Sequence, residues 1–303
     1  MLFTEFHDKI MDFISYDLAP EAEVKSHTVL KSNNVRRPGV TINYPNVNVS
    51  PTIYLDDYYR DYENGDSFEE VCEKLRKMVT DAKADTDVDL SFLHDWEKVK
   101  TRLYFRLSNT EKNKAYLADK PSLVFNDLSA IFYVLISHSQ IGQGTIAITD
   151  AMFKEWHVSR EEAFEAAQKN TFEQLGTDVM NIEEVIIGLM KDRGMEVPEE
   201  LFEEFNSNKV PMFVITNKAK TLGASCLLDN DSLSRLAEDL ESDLFVLPCS
   251  IHEIIAIPAS QGYKPDILRE MVTQINGSEV SDVDFLSDSV YLFSRENGLS
   301  IVA

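Results

Sequence analysis

Apolar residues at the start of the chain recur at helical spacing. Phe3, Phe6, Ile10, Phe13 and Ile14 fall near one face, which predicts an amphipathic helix. The period then shortens. Residues 24–30 and 39–43 read as strands around a turn at Lys31-Ser-Asn-Asn34, with Arg36-Arg37-Pro38 as a local basic spot. Thr52-Ile-Tyr-Leu55 reads as a further strand end, followed by an aromatic helical segment through Tyr62 and a break at Asn64-Gly65. Ser67-Phe-Glu-Glu70 has the spacing of a capping box, so a second helix runs from there to about Ala82. Residues 81–89 are polar and acidic and read as a loop or interdomain joint. A helix from Phe92 then leads into a β-leaning segment at 101–107.

Two stretches are less clear-cut. Residues 125–137 fit either a buried helix or a long apolar strand; the Leu, Ala and Phe spacing, with Asn126-Asp127 at the start, favours helix. Thr145-Ile-Ala-Ile-Thr149 is a second Thr-Ile strand, followed by a short helix and a second capping signal, Ser159-Arg-Glu-Glu162. This echoes the order from Thr52 to Glu70. Strand, helix and capping box are common parts; an internal duplication is the alternative reading. Residues 180–205 read as helical.

The last third turns β-rich. Strands are expected at 212–216 and 223–228, and a capped helix at 232–240. Two further strands, 244–250 and 253–258, are expected around a tight turn. A helix with proline near its first turn follows at 265–275, and Asn297-Gly298 marks a closing hairpin. Together these elements predict an α+β fold, with mixed or antiparallel sheets and packed helices. The division expected is an N-terminal unit at 1–143 and a C-terminal unit at 144–303 carrying an acidic helical segment at 150–206. Two related α/β units, or one single unit, are the alternatives.

Charge narrows the partners. The 303 residues hold 52 acids against 29 lysines and arginines, a net charge of −23. Direct nucleic-acid binding and an anionic membrane surface are excluded on this balance, because both need a basic stripe. A basic protein would be attracted. The acids concentrate at 150–206, with fifteen against five bases, and Pro198-Glu-Glu-Leu-Phe-Glu-Glu-Phe205 sets four carboxylates beside a Leu/Phe face. Such carboxylates are ordinarily a solvated helix face; as a partner-binding surface they would be Glu199, Glu200, Glu203 and Glu204. Asp56, Asp57, Tyr58 and Tyr59 form a second acidic, aromatic patch, read either as a helix burying its tyrosine edge or as a contact surface.

The three cysteines, Cys72, Cys226 and Cys249, are too scattered for a disulfide framework or a zinc site. No basic-then-apolar leader opens the sequence, and the apolar run 130–136 is far short of the ~20 residues a membrane span needs. The expectation is a cytoplasmic protein with neither metal nor cofactor.

Familiar catalytic signatures are missing. There is no phosphate-binding P-loop and no nucleophile elbow, Gly142-Gln-Gly144 is only a fragment of a dinucleotide turn, and His252-Glu253 lacks the second histidine of a zinc protease. The compact polar cluster is Cys249-Ser250-Ile251-His252-Glu253 between two apolar strands. Ser250, His252 and Glu253 carry the groups needed for assisted nucleophilic attack. Their adjacency opposes it, since neighbours in a strand point to opposite faces. Hydrogen bonds that tie the turn are the plain alternative.

Several segments together resemble domain-of-unknown-function family 5688, an uncharacterised family of anaerobic Gram-positive bacteria. They are Ser50-Pro-Thr-Ile-Tyr-Leu-Asp-Asp57, Arg106-Leu-Ser-Asn-Thr-Glu-Lys-Asn113, Gly144-Thr-Ile-Ala-Ile-Thr149, Gly223-Ala-Ser-Cys-Leu-Leu228 and, most specifically, Leu247-Pro-Cys-Ser-Ile-His-Glu253. The resemblance covers almost the whole chain in order and implies one evolutionary unit. The family pattern has a serine where Cys249 stands. It implies no activity; its association with phage and mobile elements implies interference with another protein. The function expected first is therefore a non-enzymatic interaction protein that offers an acidic surface to a basic partner, with nucleic-acid mimicry as the extreme case. The alternative is a small-molecule hydrolase or sensor with its site at the Leu247–Pro258 turn.

Overall fold

Among the described residues, every strand pairing is antiparallel. The computed structural model describes residues 1–45, 50, 52–83, 89–138, 142–198 and 211–303. In the N-terminal part, α1 (Phe3–Asp12) precedes β1 (Glu23–Leu30), β2 (Arg36–Asn43) and β3 (Thr52–Tyr54), a three-stranded meander. Two helices follow, α2 (Leu55–Glu63) and α3 (Phe68–Lys83). Apolar faces at period 3.6 on the helices and period 2 on the strands converge. Phe6 and Ile10 meet Val40, Ile42, Ile53, Leu55, Val71 and Leu75 in a core of their own. The capping box at the head of α3 is formed. Ser67 Oγ accepts from the Glu70 N–H at 3.2 Å, and Glu70 Oε2 accepts from the Ser67 N–H at 2.8 Å. The Ser67 N–H, and next the Ser67 hydroxyl, donating to Glu70 Oε2 hold the Glu70 carboxyl below its ordinary range.

After the short helix α4 (Trp96–Val99), a second sheet uses β4 (Leu103–Asn109), β5 (Ser122–Phe125), β6 (Leu128–His138) and β7 (Gly142–Ala147), with helix α5 (Lys114–Leu117) between β4 and β5. Its order is β4-β6-β5, with β7 also paired to β6. The third sheet, order β13-β12-β10-β11-β9-β8, collects the C-terminal strands. They are β8 (Asp178–Asn181), β9 (Phe213–Thr216), β10 (Leu244–Leu247), β11 (Ile254–Pro258), β12 (Tyr291–Ser294) and β13 (Gly298–Ile301). Helices α6 (Asp150–Trp156), α7 (Arg160–Asn170), α8 (Ile182–Asp192), α9 (Asn230–Asp239) and α10 (Pro265–Ser278) complete the order.

One large apolar core joins the second and third sheets. Phe105, Leu107, Phe132 and Val134 share it with Ile215, Leu244, Val246, Ile254 and Tyr291. The N-terminal core takes residues as far as Val79, and the large core takes residues from Leu90 onward. Alternation decides which side of the third sheet each residue serves: Leu244 and Val246 of β10 enter the large core, while Phe245 and Leu247 pack under α10 with Ile257, Leu268 and Val272.

Some elements differ from the sequence reading. Residues 125–137 do not form a helix. Phe125 pairs with Leu128 across Asn126-Asp127, with Asn126 at φ +56°, and β6 runs on to His138. The continuous apolar run arises because β6 is paired on both edges and buried on both faces, and such a strand loses its alternation. Residues 223–228 form a 3₁₀ turn rather than a strand. The region 180–205 opens on the end of β8 before α8 begins, and residues 199–210 lie outside the described residues, as do 84–88 of the expected joint. Residues 248–253 are longer than a tight turn, and Ser250 bridges to Phe285. The two segments that echo each other in sequence are both strand–helix–helix runs, β3-α2-α3 and β7-α6-α7. In the second run, Ser159 Oγ caps the Glu162 N–H, but the Glu162 carboxylate accepts from Trp96 Nε1 instead of closing a box.

Candidate functional site

Residues 248–253 form a wall between two cavities. Ser250 is 6% exposed, and its Oγ accepts the backbone N–H of His252 at 3.0 Å rather than meeting the imidazole. His252 is held from elsewhere. Its Nδ1 accepts the Leu222 N–H at 3.2 Å, so Nε2 carries the ring proton and donates to Asp284 Oδ1 at 3.3 Å. Its carbonyl accepts from Thr216 Oγ1 at 2.7 Å. Ser250 and Glu253 line one cavity, of about 390 Å³, and Ile251 and Asp284 line the other. The wall thus does not assemble Ser250, His252 and Glu253 into a nucleophile–base–orienter chain, because the Ser250 hydroxyl is held by the His252 backbone and the imidazole by Leu222 and Asp284. Burial, with the Glu253 carboxylate next in effect, pushes the Cys249 thiol up to about 11.

The second cavity, about 420 Å³, lies between the β1–β2 hairpin, the second sheet and the loops that carry Leu222, Ile251 and Asp284. Its floor is the face of the second sheet turned away from the core. Arg106 on β4, Tyr133 on β6 and Thr145 on β7 share that face, while Phe105, Phe132 and Val134 point the other way. The tip of the β1–β2 hairpin brings Lys31, Ser32 and Arg37 over it. That tip is anchored by Asn33 at φ +59°. Its backbone N–H donates to Asn113 Oδ1 at 2.6 Å, and its Nδ2 donates to the carbonyls of Asp282 at 2.8 Å and Phe285 at 2.7 Å.

Three cations therefore converge, but they are not equivalent. Arg37 is spent on structure. It makes a two-pronged pair with Asp56, both bonds 2.8 Å, and reaches Asp57 at 2.6 Å. Chiefly through Asp56, these bonds hold its guanidinium above its ordinary range. Lys31 stacks over Tyr54, with Nζ 4.3 Å from the ring centre, and Arg106 donates to Tyr116 Oη at 2.9 Å. Neither has a carboxylate partner among the described residues. Tyr133 is 4% exposed, and its hydroxyl has no hydrogen-bond partner among them either. Burial pushes its pKa above the ordinary tyrosine value, so the hydroxyl keeps its proton and stays a donor. Asp284, the one carboxylate in the lining, already accepts from His252 and from Ser281 Oγ, the latter at 2.7 Å.

The predicted acidic patch is used internally: Asp56 and Asp57 serve Arg37, Tyr59 packs edge-on against Phe3 and Phe6, and Tyr58 is half-buried. Glu199, Glu200, Glu203 and Glu204 lie outside the described residues. Among those residues, no group of three or more metal-ligating side chains stands together, and no helix is long and apolar enough to cross a membrane. Lys31, Arg106 and Tyr133 were not singled out in the sequence. One signal was available: Arg106 interrupts a strand that is otherwise buried throughout, a costly place for a charge with only neutral neighbours.

No curated protein and no solved structure matches the chain. A family model described as a family of unknown function (DUF5688) matches residues 3–295, nearly the full length, so the chain belongs to that family.

Proposed function

We propose that the protein is a small-molecule-binding protein that takes a compact polyanion in the cavity between the β1–β2 hairpin and the second sheet. The supporting observation is the convergence of Lys31 and Arg106, both free of carboxylates among the described residues, on a cavity floored by the unpaired hydroxyl of Tyr133. Charged donors aimed into a half-enclosed site bind anions more strongly than the same groups in water. The surrounding charge of −23 sets the size class, because an extended nucleic acid is repelled by the outer surface while a small anion enters. This is the sensor half of the second expectation, moved from the Leu247–Pro258 turn to the far side of the same wall.

Calorimetric titration with pyrophosphate, and with acetate as control, tests it. Pyrophosphate should bind saturably and less tightly at high salt. Arg106→Gln and Lys31→Gln should each weaken it about tenfold or more. Binding untouched by both substitutions, or no saturable binding at millimolar pyrophosphate, would refute the assignment.

The net charge supports a second reading, an acidic surface for a basic protein partner. The exposed carboxylates of Glu161, Glu162 and Glu165 on α7 extend the acidic stretch that ends at Glu199–Glu204. Salt-resolved capture from host lysate separates the two readings: a stoichiometric basic partner lost on changing Glu199, Glu200, Glu203 and Glu204 to glutamine belongs to this one.

A further inference from the structure

The cavity on the other side of the wall has a different chemistry. Along α10, Leu268, Met271, Val272, Ile275 and Glu279 recur at three- and four-residue steps and form one face. Opposite lie Leu247, Ile255 and Ile257 on one face of the third sheet, with Ile182 and Met212 closing the end. Beside that packing, helix and sheet leave a cavity of about 390 Å³ lined mostly by aliphatic side chains and methionine. At roughly 30 Å³ per non-hydrogen atom, that is room for about a dozen. Its size and lining are those of a ligand pocket.

The polar groups of this lining are few and of one sign. Glu253 is half-buried and Glu279 is exposed, and neither has a basic partner among the described residues. Cys249 is a protonated thiol at neutral pH, and the Ser250 oxygen is occupied by the His252 N–H. The mouth is flanked by Met271 and Ile275, 42% and 46% exposed, so an apolar chain can enter beside the carboxylates.

We propose that this cavity is a binding site for an aliphatic amine, its chain between α10 and the third sheet and its ammonium group paired with Glu253, with Glu279 adding charge at the mouth. The chain gains from leaving water, and the ammonium supplies the charge that the half-buried Glu253 lacks. The site is independent of the anion cavity, although both share the Cys249–Glu253 wall.

Titration of the full chain with decylamine, decanol and decanoate, three probes of equal chain length, tests the assignment. Decylamine should bind one to one and about tenfold or more tighter than decanol, with decanoate weakest. Glu253→Gln should bring decylamine down to decanol's level and leave pyrophosphate binding unchanged; Met271→Trp, at an exposed position, should block all three. Equal binding of amine, alcohol and acid would overturn the proposal, as would an amine preference that survives Glu253→Gln combined with Glu279→Gln. A dimer in light scattering that Met271→Trp dissociates would assign the face to a second copy and overturn it equally.

Discussion

Replacing Gly223 with alanine puts a methyl group into the back of the His252 wall. An added Cβ would stand 2.1 Å from Thr216 Oγ1, 2.6 Å from the Asn217 backbone nitrogen and 2.6 Å from the His252 carbonyl oxygen. None of these is the loose end of a long side chain: two are backbone atoms, and the third is tied to His252 O at 2.7 Å. Relieving the overlap requires the 3₁₀ turn to move away from β9. Overpacking of this kind costs about 1–3 kcal/mol. If Thr216 is pushed off the carbonyl, the buried acceptor is left unpaired at about 1–3 kcal/mol more. The sum, about 2–5 kcal/mol, is a large part of the roughly 5–15 kcal/mol by which domains are stable. With a urea slope near 3 kcal/mol/M, the midpoint of the large-core transition should fall by about 1 M. Urea unfolding followed by circular dichroism reads it, and Gly277→Ala is the control. Gly277 lies in α10 with nothing within 4 Å of the added methyl, so that change should cost nothing and can gain up to about 1 kcal/mol. A Gly223→Ala midpoint within error of wild type would refute the close packing behind His252.

Two further outcomes are expected. The carboxylate of Asp127 accepts from Tyr291 Oη, from Ser287 Oγ at 2.6 Å and from Ser289 Oγ at 3.0 Å, joining the β5–β6 turn to β12. Tyr291→Phe should therefore lower stability by about 1–3 kcal/mol in the same urea assay, and a loss below about 0.5 kcal/mol would show the bond to be idle. Cys249, its thiol pushed up to about 11, should react with a disulfide reagent about a hundredfold more slowly at pH 8.5 than a free thiol and speed up tenfold per pH unit until about pH 11. The sign follows from the thiolate being the nucleophile: a raised pKa shrinks its share at every pH below 11. Fast labelling at pH 8.5 would contradict the burial of that wall.

Much of the fold was legible because its signals are local. The α1 stripe, the capping box of Ser67 and Glu70, the β1–β2 hairpin, the proline-led α10 and the Asn297-Gly298 turn each depend on residues within a few positions of one another. Family membership was legible for a related reason, since it rests on ordered short motifs. β6 was misread because a strand paired on both edges and buried on both faces carries no alternation, and its neighbours β4 and β7 are brought to it only by the sheet.

The candidate sites divide in the same way. The cluster from Cys249 to Glu253 was visible as a run of reactive residue types, but which of them share a cavity depends on the course of the irregular segment between β10 and β11 and on Leu222 and Asp284, thirty or so residues away in either direction. Lys31, Arg106 and Tyr133 are separated by dozens of residues, the first at a hairpin tip and the others in a different sheet, so no window along the chain contains their convergence. By itself the sequence determined the amphipathic periods, the caps, the net charge and the family. Tertiary structure alone decided which charges were neutralised and which were left facing a cavity, because Coulomb pairing and desolvation depend on distance through space.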